Sequence, residues 1–183
     1  LNTDVSVMRM DEFDQVTDTF SDAWMRVVAC AYDPNDKSVI PKGTGAQGVV
    51  DIATDHFDYT IRFQNTGNAP AENVMLRDVL DGDLDPTSFE ILAYSHEPSS
   101  IAIEPDGELV IRFNGIQLPD SGTDQLGSQG SVRFRLKIAE GAQHETVVAN
   151  TARIHFDLNA PVITNTVVNT LVDCSLHSAV ITL

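Results

Sequence analysis

Hydrophobic and polar residues alternate with a two-residue period through most of this chain. In 57–64, Phe57, Tyr59, Ile61 and Phe63 fall on one side of an extended strand and Asp58, Thr60, Arg62 and Gln64 on the other, the pattern of a half-buried sheet. The segment 131–138 repeats it, with Val132, Phe134, Leu136 and Ile138 inward and Arg133, Arg135 and Lys137 outward. On a chain this acidic, the outward cations are expected to pair across strands rather than form a binding patch. Further strands are predicted at 72–80, 89–94, 101–103, 108–113, 146–158 and 162–172. The residues Asn65-Thr66-Gly67-Asn68 predict a reversal into the strand that follows, and Pro105-Asp106-Gly107 predicts a hairpin. No long segment carries a helical period. The fold class expected is all-β, an immunoglobulin-like antiparallel β-sandwich.

The N-terminal part reads differently. Val5 to Met10 alternates and predicts a strand, the acidic stretch to Ser21 reads as loop, and Ala23 to Cys30 predicts a stronger strand. A glycine-containing connector, Lys42 to Gly48, separates these from the central strands. The organisation expected is an N-terminal strand segment or the end of a preceding module over 1–32, the sandwich over 33–174, and a β-prone tail over 175–183. The chain opens without a signal-peptide pattern and reads as a mature or excised piece. The apolar ends, Val5 to Met10 and Ala179 to Leu183, suggest strands that complete the sheet of a neighbouring repeat or identical subunit.

Charge narrows the partners. Asp and Glu number 27 against 11 Lys and Arg, for a formal net charge of −16. Such a surface repels nucleic acid and anionic membrane, and no apolar run is long enough to span a bilayer. Divalent cations are the natural counter-charge. Calcium takes several hard oxygens in a forgiving geometry, and Asp33, Asn35, Asp36, Asp157 and Asn159 supply them if the two ends of the sandwich converge. The competing reading is that the same side chains cap turns. Asp81, Asp83 and Asp85 form a weaker acidic alternation that reads as a solvated turn.

Cys30 and Cys174 flank the strand-rich region and are candidates for a disulfide between its first and last strands, the alternative being two buried thiols. Lys37 or Lys42 near the first strand, with Asn150, Asn159 or Asn165 near the last, raises an intramolecular isopeptide crosslink. That chemistry requires burial to perturb the lysine. His56, His96, His144, His155 and His177 are scattered without a hydrolase motif, and His155 reads as a surface residue. No enzyme activity is expected.

Four motifs occur together: Asp33-Pro34-Asn35-Asp36-Lys37, Tyr59-Thr60-Ile61-Arg62-Phe63-Gln64-Asn65-Thr66-Gly67, Leu118-Pro119-Asp120-Ser121, and Phe156-Asp157-Leu158-Asn159-Ala160-Pro161-Val162-Ile163-Thr164-Asn165-Thr166. In this order they resemble the conserved-repeat domains of Bacteroidota cell-surface proteins associated with type IX secretion. The resemblance spans about 31–174 and implies an extracellular module of a large surface, adhesin or filament protein, with no activity of its own. The alternative class is a carbohydrate- or ligand-binding module, which would need exposed rings; most aromatics here follow inward alternation, leaving Trp24 and Tyr94.

Overall fold

The computed structural model describes residues 5–10, 16–22 and 34–177. The chain divides into two units, Leu1–Tyr32 and Asp33–Leu183. In the first, β1 (Val5–Met10) and β2 (Val16–Asp22) form an antiparallel pair with Val5 opposite Asp22. The stretch after Met10 is therefore not loop throughout. Val16, Thr17, Thr19 and Phe20 have the β-branched and aromatic character that suits a strand, and this outweighs the intervening aspartates. The strand expected over Ala23 to Cys30 lies outside the described residues.

The second unit is an all-β immunoglobulin-like sandwich. One sheet has the order β3 (Asp36–Ile40), β5 (His56–Gln64), β10 (Gln129–Ile138), β7 (Leu84–Tyr94). The other runs β13 (Val162–Ile163), β12 (Ala152–Phe156), β6 (Val74–Val79), β9 (Glu108–Phe113), β8 (Ser100–Ile103). These ladders are antiparallel. A third, smaller sheet joins β11 (Val147–Asn150), β14 (Val167–Val172) and β4 (Val49–Asp51), and its β14–β4 pair is parallel.

The core forms where the inward positions of both large sheets meet. Phe57, Tyr59, Ile61 and Phe63 of β5 and Val132, Phe134 and Leu136 of β10 pack with Leu76, Ile111, Phe113 and Ile154 of the facing sheet. Phe63 touches across the gap, with ring centroids 5.6 Å from Phe113 and 6.5 Å from Phe156. Burying such rings is the main stabilising term in a domain of this kind, at roughly 1.5–3 kcal/mol each. The outward cations of β10 do pair across the ladder: Arg133 and Arg135 both donate to Asp58 of β5 at 2.6–3.1 Å.

The Pro105-Asp106-Gly107 hairpin joins β8 to β9, with Gly107 at φ +84 and Glu104 N–H donating to Glu108 C=O at 2.8 Å. The turn at Asn65–Asn68 behaves otherwise. β5 pairs with β3 and β10, and β6 lies in the opposite sheet, so this connection crosses the sandwich instead of closing a hairpin. The Asn65 side chain ties it to the body by donating to Ala69 C=O at 2.9 Å and Leu118 C=O at 3.0 Å.

Candidate functional site

Three strands interrupt their inward apolar rows with a polar residue, and the three interruptions meet. In β3 the inward positions are Lys37 and Val39; in β6 they are Val74, Leu76 and Asp78; in β11 they are Val148 and Asn150. Lys37 Nζ donates to Asn150 Oδ1 at 2.7 Å and to Asp78 Oδ2. The Lys37 side chain is 0% exposed and that of Asp78 1%. Aromatic faces close the site: Nζ stands 4.8 Å from the Tyr59 ring centroid and 5.6 Å from that of Phe134.

Burial sets the chemistry of this centre. Removal from water pushes the Lys37 amine below its ordinary value, against the opposing pull of the Asp78 carboxylate. It likewise pushes the Asp78 carboxyl up, with Glu108 adding to the rise and Lys37 opposing it. Both shifts favour the uncharged forms, because a charge in an apolar interior forfeits its hydration. A neutral amine is a nucleophile, a protonated carboxyl is a proton donor, and Asn150 places a carboxamide carbon beside both. Burial also raises the Tyr59 phenol, with Asp78 and Asp81 adding to the rise and the nearby Asn150 carboxamide opposing it. Two buried polar atoms of the centre, Asp78 Oδ1 and Asn150 Nδ2, have no hydrogen-bond partner.

The other lysine and asparagine candidates stand apart from this site. Asn165 accepts from Lys37 N–H and donates to Lys37 C=O, each at 2.9 Å, so its amide is spent on the backbone of β3. Lys42 and Asn159 are exposed. Asp78 carries no motif in the sequence. Its signal is parity alone: a carboxylate at the third inward position of an apolar row.

Of the residues read as calcium ligands, Asn35, Asp36 and Asp157 make hydrogen bonds within the protein. Asp36 receives both oxygens' bonds from Arg62 at 2.8 and 3.1 Å, and Asn35 Oδ1 accepts from Gln64 N–H at 3.0 Å. Asp157 accepts from the N–H groups of Glu72 at 3.2 Å and Asn73 at 2.7 Å. Asp33 lies outside the described residues. Asp81 and Asp85 cap the N–H groups of Asp83 and Thr87, as aspartates in turns commonly do. Among the described residues no three His, Cys, Asp or Glu side chains stand together in a way that could hold a metal ion. Cys174 is exposed as a free thiol on a short 3-10 turn (Cys174–His177), and Cys30 lies outside the described residues. His155 is half-buried rather than at the surface, and its Nε2 is without a partner. A depression beside β3, lined among others by Ser38, Lys42, Ala46 and Thr166, has no acidic or imidazole group in its wall.

Residues 33–170 match the model of a family described as Domain of unknown function (DUF7619). The chain belongs to that family. No curated protein matches it. Among solved structures, the DUF7619 fold resembles domains D2 and D3 of the major pilin SpaD from Corynebacterium diphtheriae at TM-score 0.52 and 19% identity, over 73% of this chain and 51% of that one. It also resembles the N-terminal domain of a Streptococcus gordonii adhesin at TM-score 0.52 and 15% identity, over 76% of this chain and 33% of that one. The chain thus spans about half of the first and a third of the second. At these identities the likeness is one of fold. Among the described residues no helix is long and apolar enough to cross a membrane.

Proposed function

We propose that this domain is a structural, non-catalytic module of a bacterial surface adhesin or filament, working outside the cell. The observation that carries the reading is the buried Lys37–Asp78–Asn150 centre, which fastens the first strand of the sandwich to β6 and β11 where no outside molecule can reach it. A reactive-looking group placed there serves cohesion of the domain and not turnover of a substrate. The pilin and adhesin modules that share the fold support the setting, and the four sequence motifs add Bacteroidota surface proteins and type IX secretion to it. Assembly with neighbouring repeats or subunits would use the terminal segments, and calcium at a domain junction would have to draw on Asp33 together with residues of an adjoining module. The carbohydrate-binding alternative has less support: among the described residues Tyr94 is the one exposed aromatic ring, and Trp24 lies outside them.

An antibody raised against the folded domain tests the proposal. It is expected to label intact cells of the producing organism as strongly as permeabilised ones. Labelling that requires permeabilisation refutes it.

A further inference from the structure

We propose that Lys37 and Asn150 become joined by a covalent side-chain amide, formed by the protein itself with Asp78 as the proton-transfer group. The inference goes beyond the surface-module reading and does not depend on where the domain works.

Four observations carry it. The amine, the carboxyl and the carboxamide are in hydrogen-bond contact through Nζ, with Asn150 Oδ1 at 2.7 Å, so the carbonyl carbon lies one bond behind an atom the amine already touches. The three residues come from three strands and two of the pairs are far apart in sequence, 113 positions for Lys37 and Asn150 and 41 for Lys37 and Asp78; only the finished fold assembles them. The centre is dry, which favours a neutral amine and a protonated carboxyl and excludes competing hydrolysis. Finally, Asp78 Oδ1 and Asn150 Nδ2 are orphaned. In an inert core such atoms are a defect, whereas in this reaction they are the two between which a proton has to pass.

The step balances without a co-reactant. The Lys37 Nζ lone pair attacks Asn150 Cγ, forming the new C–N bond while the carbonyl electrons move onto Oδ1, where the Asp78 carboxyl proton or its hydrogen bond stabilises them. Asp78 takes a proton from the now cationic Nζ and delivers one to Nδ2. Collapse of the tetrahedral species re-forms the carbonyl, breaks Cγ–Nδ2 and releases ammonia. An amine and a primary amide become a secondary amide and ammonia, nothing is oxidised or reduced, and Asp78 ends protonated as it began. Rigid placement of the reacting groups replaces what would otherwise be an improbable encounter of two weak partners.

Intact mass of the folded full chain decides the matter. The wild type is expected to weigh one ammonia less than its sequence. Trypsin should then fail at Lys37 and yield a branched species joining peptides 27–42 and 138–153. Lys37→Ala, Asn150→Ala and Asp78→Ala should each carry the full sequence mass. A wild type at full sequence mass overturns the proposal whatever the variants do. So does an ammonia loss that maps to Asn114-Gly115, where an asparagine can cyclise onto its own backbone, and a crosslink that persists in Asp78→Ala overturns the role of Asp78.

Discussion

Replacing the whole buried centre by apolar residues should reverse the sign normally seen for such a swap. The perturbation is Lys37→Met with Asp78→Leu, Asn150→Leu and Tyr59→Phe, which removes each polar group that meets at the site and leaves none unpaired. For a purely non-covalent buried ion pair, apolar replacement of similar volume is neutral or stabilising by about 1–4 kcal/mol, because the desolvation cost disappears. An amide between Lys37 and Asn150 instead closes a loop of 113 residues. Restricting the unfolded chain by a loop of that size stabilises the fold by about 4.7 kcal/mol on the chain-entropy account used for disulfides. Losing it outweighs the desolvation gain, so the variant should be less stable by about 1–5 kcal/mol. In a domain of this size that lowers Tm by roughly 2–20 °C. Urea unfolding adds a second readout, since a chain without the loop exposes more surface when unfolded and its m-value should rise. A variant with unchanged m and a Tm equal to or above the wild type would refute the reasoning.

Two further outcomes follow from the packing. Asp58 receives Arg135 and Arg133, and these hydrogen bonds, that from Arg135 foremost, hold its carboxyl below the ordinary carboxylate range. Its contribution is therefore complete above the unfolded value of about 3.9 and lost as pH falls through the lower folded value; Asp58→Asn should cost about 1 kcal/mol at neutral pH, discounted for the partly exposed arginines, and the gap to wild type measured by urea titration should close in acid. A methyl at Gly130 would stand 2.1 and 2.2 Å from ring atoms of Phe63, a ring held between Phe113 and Phe156, so Gly130→Ala should lower the urea midpoint by the equivalent of about 1–3 kcal/mol, and an unchanged midpoint would show that the ring can yield.

Alternation made the sandwich legible, because a strand with one dry face must place apolar residues at every second position, as β5 and β10 do. The turn at Asn65–Asn68 was misleading for a physical reason. Residues that permit a reversal do not state whether the next strand pairs alongside or crosses to the other sheet, and here the two dry faces needed each other. Lys37 and Asn150 were recognisable as a possible pair, yet equally good in spacing to Lys42, Asn159 and Asn165. Contact alone separates them, and Asp78, lacking any motif, was visible only as a carboxylate sitting where β6 should bury a hydrocarbon. For Asp36 and Asp157 the sequence shows a carboxylate without showing the guanidinium or backbone amides that each one meets in the fold.

The Asn165 amide has a consequence for how molecules crowd together. β3 borders its sheet, and one side chain from outside that sheet already satisfies both the N–H and the C=O of Lys37 that point away from β5. A foreign strand zipping along this border would first have to evict that amide. At the opposite border, β7 carries Pro86, which has no N–H to offer, together with the charges of Asp85 and Glu90. With one margin plugged and the other made unwelcoming, this four-stranded sheet is a poor template for a strand from another copy.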